Sequence, residues 1–236
     1  MGLLDEAYTR YNACLTSLHA SIAGEQTEGG SIPEQSDFFI KYLLDNTHIK
    51  LILEIGFNTG SSANAFLAAR SDIKVISVDI GSHTYISRCK KTIDKHYPER
   101  HALIIGDSKV VIPDMPVVPD LIFIDGDHAA PAPLIDARNC LAIAGPDTIL
   151  IMDDTTLTMG WAGVLQAMCE LIRNHEIDPT YVDSRVVKDR GWTLFKRALN
   201  LNDTQTQPPL LPQAQQAVVV TPPSQSPSQP SPLSSS

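Results

Sequence analysis

The chain has 236 residues, 43% of them hydrophobic, enough for one sizeable core or for one domain with an appendage. A formal net charge of −9 argues against nucleic acid or an anionic membrane as partner, since both call for basic patches. Cys14, Cys89, Cys140 and Cys169 stand far apart, with no metal-site or disulfide spacing, and read as four buried, reduced thiols.

Residues 1–22 place Tyr8, Tyr11, Leu15, Leu18 and Ile22 at helical spacing. Met1-Gly2 invites myristoylation, but Glu6 stands where Ser or Thr is wanted. The start also lacks the basic and apolar regions of a signal peptide, and no apolar run reaches membrane-span length. A soluble, cytoplasmic protein is expected. Residues 24–33 form a polar, Gly-rich break, and 34–46 a second helix. Strands are expected at 50–55, 73–79, 101–106, 119–125 and 147–152. Between and after them lie helices at 60–70, 83–96, 131–143 and 160–174, and two more strand candidates follow at 179–186 and 191–197. Short apolar strands alternating with helices argue for a parallel sheet covered on both faces. The last two strands lie close enough to form an antiparallel pair. From 200 to 236 the composition turns to Pro, Ser and Gln with one charged residue, Asp203, which predicts a disordered tail. The expected organisation is a helical segment over 1–34, a catalytic domain over 35–199 and the tail.

The first strand, Leu51-Ile-Leu-Glu-Ile, runs into Gly56-Phe-Asn-Thr-Gly60 and then a helix start at Ser61. Such a loop lets a ligand approach the backbone, and the helix adds free N–H groups and a positive dipole end. Gly56, Asn58, Gly60 and Ser61 are therefore cofactor candidates. Asp79 ends the second strand, 19 residues after Gly60, where an acid accepts hydrogen bonds from ribose hydroxyls. A helix cap is the competing role. Asp107 and Ser108, after the third strand, suit a purine edge and equally suit a helix N-cap. The pattern is not GxGxxG, and Glu54 just before the loop is unwelcome beside a pyrophosphate. It suits a cofactor with amino and sulfonium charge, which favours S-adenosylmethionine over NAD.

Asp125 ends the fourth strand and Asp153-Asp154 follow the fifth, so all three acids emerge at the carboxyl edge, where ligands bind. Three neighbouring carboxylates repel unless something positive intervenes, and a hard divalent ion such as Mg²⁺ is the usual answer. Caps or surface acids are the alternative. His128, three residues after Asp125, is placed to act as a general base toward a substrate hydroxyl.

Taken in order, Glu54-Ile-Gly-Phe-Asn-Thr-Gly-Ser-Ser-Ala-Asn-Ala65, Ser77-Val-Asp-Ile-Gly81, Gly106-Asp-Ser108, Phe123-Ile-Asp-Gly-Asp-His128 and Ile151-Met-Asp-Asp-Thr155 resemble the class I S-adenosylmethionine-dependent methyltransferases. The resemblance covers about residues 35–197. It is nearest to the group of the macrocin-type sugar O-methyltransferases and more distant to the catechol-type metal-dependent ones. It implies a Rossmann-like seven-stranded, mostly parallel α/β sheet with helices on both faces and the last strand antiparallel. It also implies cofactor contacts at Glu54, Gly56, Gly60, Asp79 and Asp107, metal ligands at Asp125, Asp153 and Asp154, and His128 as base. Where catechol-type enzymes carry Asp-Asn this chain carries Asp153-Asp154, so the substrate class does not transfer, and no role follows for Asp127. The expected acceptor is a small molecule or sugar, contacted by residues 1–35, the segment after Asp154 including Trp161, and the loop after His128. An NAD(P)-dependent oxidoreductase or a non-catalytic cofactor-binding module are the competing readings.

Overall fold

The computed structural model describes residues 2–199, which form one compact unit. The segment 200–236, expected to be a disordered tail, lies outside the described residues. The strands are β1 (Leu51–Ile55), β2 (Lys74–Asp79), β3 (His101–Ile105), β4 (Leu121–Ile124), β5 (Ile149–Met152), β6 (Asp183–Val187) and β7 (Arg190–Phe195). They make one sheet in the order β3-β2-β1-β4-β5-β7-β6. The first five are parallel, and β7 runs antiparallel between β5 and β6. The helices are α1 (Leu3–Ser21), α2 (Pro33–Asp45), α3 (Ser61–Ala69), α4 (Ile86–His96), α5 (Ser108–Val111), α6 (Ala132–Ile143) and α7 (Ala162–Arg173). No helix among the described residues is long and apolar enough to cross a membrane.

The strand pattern explains why both faces are covered. Successive side chains of a strand point to opposite sides. Ile52, Leu121, Ile149 and Leu194 accordingly pack with α1 to α4, while their neighbours Leu53, Ile122, Leu150 and Phe195 pack with α6 and α7. The first cluster centres on Phe39, Phe66 and Phe123, whose ring centroids lie 4.9, 5.2 and 5.6 Å apart. Small residues let α3 sink completely: every side chain from Ser62 to Ala69 is buried. Its one amide, Asn64, is satisfied by donating to the Tyr11 carbonyl at 3.1 Å and accepting from the Tyr97 hydroxyl at 2.6 Å.

Two expectations change. The boundary drawn at 34/35 falls inside α2, and α1 shares the α3–α4 core through Ala7, Tyr11, Cys14 and Leu18, so the N-terminal helix is part of the domain. Cys169 is exposed, unlike the other three cysteines. It follows the buried Met168 on α7, and one residue turns a helix by about 100°, which carries the thiol away from the core. Removing the Phe66 ring should cost about 3–5 kcal/mol, as for other buried phenylalanines, because neither α3 nor the sheet can close the gap. The denaturant midpoint of Phe66→Ala with an unchanged m-value would check this.

Candidate functional site

Strand order reverses between β1 and β4: the chain leaves β1 for β2 and β3 on one side, and returns to β4 and β5 on the other. A crevice opens at the carboxyl ends of the strands at such a point. Here it is a cavity of about 470 Å³, within the usual range for a small-molecule site. Gly56, Asn58, Asp79, Asp107 and Ser108 line one end, and Asp125, His128, Asp153, Asp154 and Arg190 the other.

At the first end the polar groups are already engaged. Asp79 Oδ2 accepts from the backbone N–H groups of Phe57 and Asn58, both at 2.9 Å, and Oδ1 from that of Gly81 at 2.8 Å. Its carboxylate therefore shapes the glycine loop, with three of its about four lone-pair sites taken and one left uncommitted. The Asn58 side chain donates to the Gly29 carbonyl at 3.1 Å and accepts from the Tyr85 hydroxyl at 2.6 Å, tying the loop to the segment before α2. Asp107 caps α5, accepting from Lys109 N at 3.0 Å, so the capping role is realised. Ser108 donates to Asp136 at 2.7 Å. Gly60 caps α3 and Ser61 begins it, and neither lines the cavity.

Glu54 departs most from expectation. It is 0% exposed and lies under the loop, away from the cavity lining, so the direct ligand contact expected of it is not available. Its two oxygens accept from Ser62 and Ser77, and Ser77 Oγ lies 2.9 Å from His101 Nε2. Burial raises the Glu54 carboxyl to about 8 and lowers His101 to about 3. A neutral His101 with its proton on Nε2 leaves only a lone pair at the buried, unpartnered Nδ1.

The second end holds the acids. Asp125, His128 and Asp154 each offer a ligand atom within 4.8 Å of the others. His128 Nε2 lies 3.0 Å from Asp154 Oδ2 and 3.6 Å from Asp125 Oδ1, yet makes no aligned hydrogen bond. The two acids push the imidazole up to about 10. Asp154 is held at φ 55°, a strained conformation for a non-glycine residue. Asp153, expected as an equal ligand, is turned aside: Oδ1 accepts from Gln35 Nε2 at 2.8 Å. Burial, then the neighbouring Asp125 and Asp154, raises its carboxyl well above the usual range. The trio that converges is thus two carboxylates and the imidazole, with Asp153 behind them. Asp125 and Asp154 offer the oxygen ligands that a hard divalent cation takes, and the unaligned, buried Nε2 of His128 beside them is left with its lone pair uncommitted.

Three groups here were beyond motif reading. Gln35 comes from α2 and is 3% exposed. Arg190, at the start of β7, donates from Nη1 to Asp154 Oδ1 at 3.3 Å. Trp161 stacks on His128 with centroids 4.6 Å apart and planes at 16°. Trp161 was expected near the acceptor side, but its partner was not. Glu28 and Gly30, from the polar break, also line the cavity.

Residues 53–155 match a family model described as a methyltransferase domain. A search of curated proteins finds no match. Among solved structures, a methyltransferase of Podospora anserina bound to SAH superposes with a TM-score of 0.62 at 21% identity, covering 82% of this chain and 88% of that one. An O-methyltransferase of Bacillus cereus in complex with SAH gives 0.64 at 15% identity, covering 80% and 91%. TomG of Streptomyces achromogenes, an O-methyltransferase of tomaymycin synthesis in complex with SAM, gives 0.62 at 16% identity, covering 80% and 89%. Likenesses at these identities establish the fold.

A buried acid under the loop makes stability depend on pH. The folded value of Glu54, about 8, lies above its ordinary 4.5. The stability gained by keeping it protonated is therefore complete below pH 4.5 and is lost as pH rises toward about 8. Glu54→Gln should remove that part of the decline. Thermal midpoints of the two proteins across pH 4.5 to 8 should converge at the acid end and separate at the alkaline end, with the variant higher; parallel profiles would show that Glu54 stays ionised.

Proposed function

We propose that this chain is a class I S-adenosylmethionine-dependent methyltransferase that transfers the methyl group to a hydroxyl oxygen of a small molecule or sugar with the help of a divalent cation. The observation that carries this reading is the single cavity with Asp79 and the glycine loop at one end and Asp125, His128 and Asp154 at the other. A ribose hydroxyl would reach the remaining lone pair of Asp79, and Asp107 and Ser108 would edge the base. Gly56 leaves the loop backbone open to the methionine portion. S-adenosylmethionine would supply the methyl group, and a divalent cation held by Asp125 and Asp154 would lower the pKa of the acceptor hydroxyl. The related O-methyltransferases bound to SAM or SAH support the cofactor.

The chain's own work is positioning and proton transfer. In-line displacement at a sulfonium needs the two reactants aligned, and most of the rate gain lies there. His128 takes the hydroxyl proton on Nε2, the nitrogen facing Asp125 and Asp154. Those acids hold the imidazole protonated when they face it alone, near 10. With the acids neutralised by a cation that cause would be gone, and His128 would be free to act as base. Asp153, kept neutral by burial and fixed by Gln35, spaces the pair without adding a third repelling charge. The competing oxidoreductase reading shares the sheet and Asp79 but leaves Asp125, His128 and Asp154 without a task.

Calorimetry should show S-adenosylmethionine binding and no NAD binding. Asp125→Asn and Asp154→Asn should each weaken Mn²⁺ binding while leaving S-adenosylmethionine affinity near wild type. Unchanged Mn²⁺ affinity in both would remove the cation from the reading. His128→Ala should lower turnover by ~10²–10⁴ with cofactor affinity retained. An alanine variant of normal rate and pH profile would leave His128 a loop residue.

A further inference from the structure

We infer that Arg190 is a specificity residue, and that the methyl acceptor carries a carboxylate next to its reacting hydroxyl region. The inference rests on the O-methyltransferase reading above.

The first observation is how little Arg190 does for the protein. A guanidinium carries five N–H donors and stays charged at every accessible pH. Arg190 uses one of them, on Asp154 Oδ1 at 3.3 Å, and its side chain is 31% exposed on the cavity wall. The same protein shows what a structural arginine looks like. Arg138 grips Glu176 with Nε at 3.0 Å and Nη2 at 2.7 Å, a two-pronged pair. Arg190 meets Asp154 by a single long contact, and Asp154 already has His128 Nε2 at 3.0 Å beside its other oxygen. The parallel N–H fork of Arg190, the part that matches a carboxylate, is left for something else.

The second observation is that Arg190 is held in place although it bonds so sparingly. It begins β7, just after the turn from β6. The Gly191 carbonyl accepts from Thr155 N at 2.9 Å. The Asp189 carbonyl accepts from Thr156 Oγ1 at 3.1 Å and from Thr158 Oγ1 at 2.9 Å. Lys188 pairs with Glu34 at 2.6 Å. A β-carbon at residue 191 would lie 2.2 Å from Thr156 Cγ2, so only glycine lets the turn lie this close to the segment after Asp154. The turn is stapled to the strand that carries the acids and to the start of α2. A charged group preset on a rigid backbone with its donors unspent is a binding group whose ordering cost is already met.

A carboxylate on the acceptor would be taken by the Arg190 fork while the acceptor hydroxyl faces Asp125, His128 and Asp154. The distance between carboxylate and hydroxyl then selects which hydroxyl is presented.

The test uses the full chain loaded with S-adenosylhomocysteine and Mg²⁺, with 3,4-dihydroxybenzoate and catechol as paired probes in calorimetry. Wild type should bind the carboxylated probe tighter than catechol by about tenfold or more, and Arg190→Gln should abolish that preference, the ratio being read within each protein. Arg190→Lys should restore only part, since an ammonium keeps the charge but not the fork. Equal affinities in wild type, a preference that survives in Arg190→Gln, or no binding of either probe would each overturn the inference. S-adenosylhomocysteine binding in the same titrations separates the two levels. If wild type fails to bind it, the methyltransferase reading falls; if it binds while the preference is absent, only the role of Arg190 falls.

Discussion

The site depends on one close approach. At the end of β1 the chain passes between β2 and β4, and Gly56 makes the passage possible. Its N–H donates to the Val78 carbonyl at 2.8 Å, and a β-carbon there would lie 2.0 Å from the Asp125 carbonyl oxygen. With φ at 91° the residue also sits where other side chains are strained. Because β1 touches both neighbours at this point, Asp79 and Asp125 open onto one cavity. The N–H groups of Phe57 and Asn58, collected by Asp79, then hold the loop against the end of β2. A larger residue at 56 would separate β1 from β4 and split the cofactor end from the acid end.

The acid end is a problem of like charge solved in three ways at once. Asp154 is faced by two nitrogen groups, the His128 imidazole and the Arg190 guanidinium. Asp153 is buried beside Asp125 and Asp154, which favours its neutral form, while Gln35 fixes its side chain. Asp125 keeps contact with His128 on the cavity wall. None of these arrangements uses the acids up. The imidazole nitrogen is unaligned and the arginine is engaged by one donor. Stability alone would favour tighter pairing, as at Arg138 and Glu176, whereas the loose pairing at Asp154 leaves donors and lone pairs there uncommitted.

What could be read in the sequence follows from where the signals lie. The sheet was legible because alternate residues such as Ile52 and Leu53 face different helical layers while both stay apolar. Asp79, Asp125 and the Asp153-Asp154 pair were legible because strand ends in a parallel sheet share one edge. Glu54 was misjudged because it stands at the same edge in sequence yet faces inward; the hydroxyls of Ser62 and Ser77 that hold it are visible only once α3 and β2 are packed. Asp107 satisfied a local rule, capping, that any short acid before a helix satisfies. Gln35 and Arg190 carried no local signal: one is a polar residue in an amphipathic helix, the other an arginine after a hairpin turn, and 118 and 36 positions separate them from their partners Asp153 and Asp154.

That contrast has a physical basis. The cofactor end is made by the ends of β1, β2 and β3 and by one loop, parts whose spacing the sheet itself dictates. The acid end takes Gln35 from α2, Trp161 from the segment before α7 and Arg190 from the β6–β7 hairpin. These three lie outside the alternating core of the fold, so substituting any one need not disturb the sheet. A scaffold divided in this way can keep its cofactor chemistry constant while its acceptor contacts drift. The pinning of the hairpin by Thr156, Thr158 and Glu34 is what keeps such a peripheral arginine in register with Asp154. Rigidity at the acid end thus comes from side-chain ties between loops, whereas at the glycine-loop end it comes from the strands.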